Sequence, residues 1–180
     1  GRTAPGTSVS NGQTFTLTTG IDNFKGAAGD DTFIGGNGAA NTTGPADQLD
    51  GGAGVDTFKF YGGTVTGQMP TLKNIEKLFL SASNGTVNAA GIAGVESVEV
   101  NAATGAHTVA LAAAQALTLS DITAAAGTVP TTVTGSAAAG ITLNNVIDKS
   151  VTPNGAQTLN VNTRDAALKL NATGSASSIT

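Results

Sequence analysis

Gly54-Val55-Asp56-Thr57-Phe58 carries a pattern that recurs with a step of nine residues and predicts how the chain folds. Glycine, aspartate and an apolar residue occupy alternate positions, and the same pattern stands at residues 20–24 and 29–33. A fourth copy is split: residues 35–38 supply its glycines and, after a seven-residue insertion, residues 47–49 supply its aspartate and apolar residue. The aspartates therefore stand at 22, 31, 47 and 56, and the phase of nine survives the insertion.

Each position of this pattern has a physical reason. Glycine lets the backbone take positive φ and turn its carbonyls inward, the aspartate supplies an anionic oxygen, and the apolar residue faces a core. Ca²⁺ takes about six to eight such oxygens at roughly 2.3–2.6 Å, which is more than one turn offers. Two turns stacked at about 4.8 Å offer enough, so the repeat predicts calcium bound between stacked turns.

The nine residues Gly51-Gly52-Ala53-Gly54-Val55-Asp56-Thr57-Phe58-Lys59 fit the RTX nonapeptide G-G-x-G-x-D-x-U-x in full, and residues 26–34 lack only its second glycine. This part of the chain resembles the RTX-type segments of bacterial S-layer proteins and of other large surface proteins exported by type I secretion. The resemblance covers about a fifth of the chain. It implies a calcium-binding parallel β-roll and an extracellular, cell-surface location.

In the RTX β-roll, turns on the same edge are two repeats apart, so the resemblance implies two calcium sites. The implied ligands of the first site are Thr18, Gly20, Asp22, Gly36, Gly38 and Asp47, and those of the second are Gly26, Ala28, Gly29, Asp31, Gly52, Gly54 and Asp56. Asp30 and Asp50 stand where the pattern requires no acid. The alternative is a glycine-rich turn array whose aspartates cap turns and hold no ion.

After residue 60 the glycine–aspartate turns cease and short apolar alternations follow. They stand at residues 75–80, 95–100, 117–119, 141–143, 159–161 and 168–170, and the first two align with a spacing of 20. Short strands with this approximate period favour a parallel β-solenoid that continues the β-roll, with a β-sandwich as the alternative. We expect an all-β chain with a linker or arm at 1–12, the β-roll at 13–60 and a solenoid-like segment at 61–180.

The residues of the later block carry little catalytic signal. His107 is the single histidine, the chain has no cysteine, and no nucleophile motif surrounds His107; we expect it at the surface. Glu96 and Glu99 stand three apart in an alternating strand and so point to opposite faces, which predicts solvated side chains rather than a glycosidase pair. Phe79 is expected in the core. The chain is therefore predicted not to be an enzyme.

The composition and charge of the chain limit the kinds of partner that it can bind. The absence of cysteine excludes disulfides and thiolate metal sites. The net charge is −4 and the eight basic residues are scattered, which predicts no nucleic-acid partner. No apolar run approaches the roughly 18–20 residues of a membrane span. Six of the twelve acidic residues stand within positions 22–56, beside only Lys25 and Lys59, so their carboxylates would repel one another without cations.

Three classes of function fit these observations. The first is a structural component of a bacterial surface layer or extracellular fibre, folded by calcium and self-associating into a sheet or filament. The second is an adhesin-like module that binds a cell-surface polysaccharide or another partner, and the third is the β-roll appendage of a secreted hydrolase. The chain lacks an initiator methionine and a signal segment, and we expect it to be an internal piece of a longer protein.

Overall fold

The computed structural model describes residues 11–122, 131–135, 140–146, 150–152, 159–162 and 169–170. These residues form fifteen strands and a short 3-10 helix at Ala89–Gly91. The strands are β1 (Thr14–Thr16), β2 (Asn23–Lys25), β3 (Thr32–Gly36), β4 (Gln48–Asp50), β5 (Thr57–Thr64), β6 (Thr71–Lys73), β7 (Lys77–Asn88), β8 (Ser97–Asn101), β9 (His107–Leu111), β10 (Ala116–Ser120), β11 (Thr131–Gly135), β12 (Gly140–Asn144), β13 (Ser150–Thr152), β14 (Leu159–Asn162) and β15 (Lys169–Leu170). Among the described residues, no helix has the length and apolarity needed to cross a membrane.

The strands form three parallel stacks. The first contains β1, β3, β5, β7, β8, β10, β12 and β14, each paired with the next. The second contains β2, β4 and β6. The third begins with the second half of the long strand β7 and continues through β9, β11, β13 and β15. Because every pairing between these strands is parallel, the chain is a β-solenoid, which confirms the predicted fold class and excludes the β-sandwich.

The register explains the step of nine. Thr14 pairs with Thr32, so the first coil, meaning one full turn of the solenoid, takes eighteen residues, or two nonapeptides. Thr32 pairs with Thr57, and this coil of 25 residues is two nonapeptides plus the seven-residue insertion. The next two coils take twenty residues each, from Thr57 to Lys77 and from Lys77 to Ser97. The predicted spacing of 20 is therefore the length of one coil.

The core runs along the solenoid as columns of apolar side chains. Strand residues alternate between the two faces of a sheet, and in-register pairing stacks the inward ones. One column contains Phe33, Phe58, Leu78, Val98, Leu117 and Ile141, and a second contains Phe60, Leu80, Val100, Leu119 and Leu143. All are buried in a single cluster. Strand β5 spans the predicted boundary at residue 60 and pairs with β3 and β7, so the repeat block and the later block share one sheet and one core.

The prediction that Phe79 faces the core is wrong. Its strand neighbours Leu78 and Leu80 point inward and are buried, so alternation turns Phe79 to the outer face, where it is only partly covered. There its ring centroid lies 6.0 Å from that of Tyr61, and Lys59 Nζ lies 6.0 Å from the Phe79 centroid. The hydrophobicity of Phe79 misled the prediction because the strand register, which sets the face, depends on tertiary pairing.

The prediction that His107 lies at the surface is also wrong. In β9 the inward positions are 107, 109 and 111, and His107 is 1% exposed. Its backbone pairs with Gly85 of β7, and its Nε2 atom lies 3.3 Å from the hydroxyl of the buried Ser83. The predicted arm at residues 1–12 falls outside the described residues except for its last two.

Replacing Phe58 by alanine should lower the free energy of unfolding by about 3–5 kcal/mol, because it opens a cavity in the first apolar column. Phe79→Ala is the matched control on the outer face and should cost less than about 1 kcal/mol. Urea denaturation followed by circular dichroism measures both. Equal losses would contradict the register described above.

Candidate metal centre

The four repeat aspartates each stand one residue before a strand. Strand pairing places Asp47 over Asp22 and Asp56 over Asp31, one coil apart. The backbone N–H of Asp22 donates to Asp47 Oδ1 at 2.9 Å, and the N–H of Asp31 donates to Asp56 Oδ1 at 2.6 Å. All four carboxylates are buried. The structure therefore brings together both predicted aspartate pairs.

The second carboxylate oxygen of three aspartates closes its own turn. Asp22 Oδ2 accepts the Thr18 N–H at 2.7 Å, Asp31 Oδ2 accepts the Ala27 N–H at 2.9 Å and Asp47 Oδ2 accepts the Gly44 N–H at 2.8 Å. These bonds correspond to the turn-capping alternative left open by the sequence. They satisfy the carboxylates through main-chain donors.

Asp56 differs from the other three. Its side chain is fully buried, and its Oδ2 atom has no hydrogen-bond partner. The donor equivalent to Ala27 is Gly52, one coil along, but the Gly52 N–H donates to Asp50 Oδ1 at 3.2 Å. Buried polar atoms nearly always have a partner, and among the carboxylate oxygens of the four repeat aspartates this one alone lacks a hydrogen-bond donor.

The surroundings of Asp56 disfavour an uncompensated negative charge. Burial raises the pKa of Asp56 above its ordinary value of 3.8; the Asp31 N–H opposes this, and the neighbouring carboxylates of Asp31, Glu76 and Asp30 raise the pKa further. The one salt bridge in the described part of the chain, between Lys73 and Asp50 at 3.1 Å, is largely exposed and does not involve Asp56. A bound cation would supply the missing positive charge.

Glycines stand next to the carboxylates because neighbouring oxygen atoms leave no room there for a Cβ atom. A Cβ atom at Gly26 would overlap Asp31 Oδ2 and the Gly51 carbonyl oxygen. A Cβ at Gly51 would overlap Asp56 Oδ2 and the carbonyl oxygen of Asn74. At both glycines, a carboxylate oxygen of the same coil therefore lies close to a carbonyl oxygen of the next coil. These are the oxygen types that Ca²⁺ binds. The donor set fits the predicted ion.

The other predicted residues of the second site lie on the same edge. Ala28 forms a parallel bridge with Ala53. The Gly29 N–H donates to the Ala53 carbonyl at 2.7 Å. Gly52 and Gly54 have φ of +95° and +142°, and each packs against the carbonyl of the coil below, where a side chain would not fit. The turn of Asp31 is therefore stacked under the turn of Asp56.

The first site is arranged differently from the prediction. Thr18 Oγ1 donates to Asp22 Oδ1 at 3.1 Å and accepts the Gly20 N–H at 3.2 Å, so these residues form one tight turn. Gly36, however, is the last residue of β3 and packs against the carbonyl of Tyr61 in β5. Gly38 also lies beside β5. Residues 43–47 stack over the Asp22 turn instead of residues 35–38, because the seven-residue insertion separates the glycines from Asp47.

No group of three or more histidine, aspartate or glutamate side chains that could hold a metal ion occurs among the described residues. A cation on the Asp56 edge would therefore depend on two carboxylates at a time together with main-chain carbonyls. The sequence prediction overlooked Asn74 and Glu76, which lie outside the repeat. The spacing could have identified Glu76, because it stands 20 residues after Asp56, which is the length of one coil at that point.

Comparisons with protein-family models, curated proteins and solved structures gave no match to the chain. The class that the geometry defines is a parallel β-solenoid with a stacked pair of buried aspartates on each of two edges.

A second buried polar group lies in the later coils. His107 Nε2 lies 3.3 Å from the Ser83 hydroxyl, and both side chains are buried. The Nδ1 atom of His107 has no partner. Burial lowers the pKa of His107 below its ordinary value of 6.5, against a smaller opposing effect of the main chain at Ser83 and Gly85. The solenoid therefore holds this imidazole in its neutral form.

The lowered pKa of His107 predicts a loss of stability in mild acid. The unfolded chain takes up the proton at about pH 6.5, whereas the folded chain resists it, so this contribution is complete above pH 6.5 and is lost as the pH falls through the lowered value. His107→Gln should remove this part of the pH dependence. Urea denaturation of both proteins at about pH 7.5 and about pH 5.5 is the measurement, and identical pH dependence in the two would contradict the assignment.

Proposed function

We propose that the chain is a structural segment of a bacterial cell-surface layer or extracellular fibre, and that Ca²⁺ stabilises its folded state. The observation that carries the proposal is the buried Asp56 oxygen without a donor, set in a stack of carboxylates. The RTX-like residues 51–59 support it independently, because the same aspartate occupies the ligand position of that motif.

The residues suited to hold calcium are those whose oxygens converge at the glycine turns. On one edge they are the carboxylates of Asp31 and Asp56 with the carbonyls of Gly51 and Asn74. On the other edge, the stacked Asp22 and Asp47 carboxylates are the candidates. The ion would supply positive charge between coils and let the carboxylates remain ionised. An ion present at a hundredfold excess over its dissociation constant adds about 2.7 kcal/mol to folding stability.

The later coils supply the features expected of a rigid structural element. Each coil contacts its neighbours through parallel pairing, and side-chain bonds repeat along the outer corner. Ser81 Oγ donates to Asn101 Oδ1 at 3.1 Å, and Asn101 Nδ2 donates to Ser120 Oγ at 3.0 Å. Asn145 Nδ2 then donates to Asp121 Oδ1 at 2.8 Å. This polar ladder links four successive coils and resists their separation.

One observation favours the second candidate, an adhesin-like module for a cell-surface polysaccharide. Tyr61 is 42% exposed on the outer face, its ring is 6.0 Å from that of Phe79, and Lys59 lies beside them. Aromatic rings that combine an apolar face with a polar edge are common at wet binding surfaces. The sequence suggested no such platform, because Phe79 was assigned to the core.

Removing calcium should unfold or loosen the repeat block. In EGTA the thermal midpoint and the β signal in circular dichroism should fall, and millimolar calcium should restore both. Asp31→Asn should reduce the calcium-induced rise in the midpoint more than Asp30→Asn, because Asp31 lies in the carboxylate stack whereas Asp30 Oδ1 accepts the exposed Val55 N–H. An unchanged midpoint in EGTA would refute the calcium proposal.

The structural role predicts open-ended self-association. Light scattering after size exclusion should show species that grow with protein concentration in millimolar calcium, and electron microscopy should show sheets or filaments. Heterologous contacts between solenoids do not close into a two-fold dimer. A strictly monomeric protein under these conditions would favour the adhesin-like module instead.

A further inference from the structure

The corner that carries the glycine turns continues beyond the repeat. The Gly26 N–H donates to the Asp50 carbonyl at 2.7 Å and the Gly51 N–H donates to the Lys73 carbonyl at 2.9 Å, so Gly26, Gly51 and Asn74 lie in successive coils at one corner. Asn74 has φ of +50°, a conformation that asparagine tolerates better than most residues. Its carbonyl oxygen is directed at Gly51, as the Gly51 carbonyl is directed at Gly26.

The row of carboxylates also continues beyond the repeat. The Asp31 N–H donates to Asp56 Oδ1 at 2.6 Å, and the Asp56 N–H donates to Glu76 Oε2 at 2.7 Å. Glu76 thus makes the contact with the coil below that an aspartate makes at the preceding level. The third coil therefore repeats both halves of the arrangement, the carbonyl and the carboxylate, without the RTX-like sequence.

The two levels differ in one hydrogen bond. At the lower level the Ala27 N–H occupies Asp31 Oδ2. At the upper level Asp50 accepts the Gly52 N–H and is itself held by Asn74 Nδ2 at 2.7 Å and Lys73 Nζ at 3.1 Å. This leaves Asp56 Oδ2 buried without a donor and next to the Asn74 carbonyl oxygen at Gly51. Two oxygens that meet in this way repel each other unless a proton or a metal cation lies between them.

We propose that Asp56, Asn74 and Glu76 form a cation site at the junction of the repeat and the later coils, called here the junction site. Its ligand class is a hard divalent cation such as Ca²⁺, bound by the Asp56 carboxylate and the Asn74 carbonyl, with the Glu76 carboxylate as the second negative charge. This inference rests on the proposed calcium function and assigns ligands outside the motif. Calcium bound at the junction site would therefore depend on the register of the third coil, which supplies Asn74 and Glu76.

Calcium titration of the full chain by calorimetry tests the junction site, with Glu76→Gln as the variant and Glu96→Gln as its control. Glu96 stands in the same row one coil further on and is exposed. Glu76→Gln should weaken one calcium site about tenfold or more, as loss of a neighbouring carboxylate does at other metal sites. Glu96→Gln should leave every site unchanged.

A second pair of variants tests the geometry without changing charge. Gly51→Ala places a methyl group where the Asp56 and Asn74 oxygens converge, whereas Gly44→Ala meets open space. Gly51→Ala should abolish calcium binding at the junction site, which is the site that Glu76→Gln weakens, whereas Gly44→Ala should leave that binding intact. Circular dichroism checks that both variants fold. Calcium binding to the wild type that is unaffected by Glu76→Gln would overturn the junction site and leave the calcium function standing. No calcium binding by the wild type would overturn both.

Discussion

The structure depends on hydrogen bonds from backbone N–H groups to buried carboxylates of the following coil. Asp47 and Asp56 each accept such a bond from the coil below, and Glu76 continues the series. A hydrogen bond to a charged group contributes about 1.5–3 kcal/mol, and here each bond also fixes the register of one coil on the next. Since a slip of one residue would turn every inward side chain outward, the apolar columns depend on the same contacts.

These contacts bring like charges together, and the chain resolves the conflict differently along its length. Main-chain N–H groups from the turn cover the second oxygen of Asp22, Asp31 and Asp47. At Asp56 the equivalent N–H donates to Asp50 instead, and one buried carboxylate oxygen is left without a donor. Further along the same corner the position is held by Gln115, whose side chain accepts the Ala112 N–H at 2.8 Å and donates to the Ala89 and Val95 carbonyls. A neutral amide closes the turn there without a charge to compensate.

The change from a nonapeptide repeat to coils of about twenty residues does not interrupt the core. Strand β5 belongs to both parts, and the column that begins with phenylalanines continues with leucine and valine. The interior of the later coils also holds buried polar groups such as Ser83 and His107. Tyr61 and Phe79 lie on the outer face, because side chains alternate between the two faces of a strand and their neighbours point inward.

Residue spacing alone favoured the parallel solenoid over a β-sandwich, through the step of nine, the seven-residue insertion and the spacing of 20. The pairing of Asp22 with Asp47 and of Asp31 with Asp56 was implied by the resemblance to the RTX β-roll, in which turns on one edge are two repeats apart. Contacts between coils set the remaining features: the faces of Phe79 and His107, the cover of the Asp22 turn by residues 43–47 rather than Gly36 and Gly38, and the position of Asn74 and Glu76 beside Asp56. Each of these depends on the register between neighbouring coils, and that register is set by hydrogen bonds between residues about twenty positions apart.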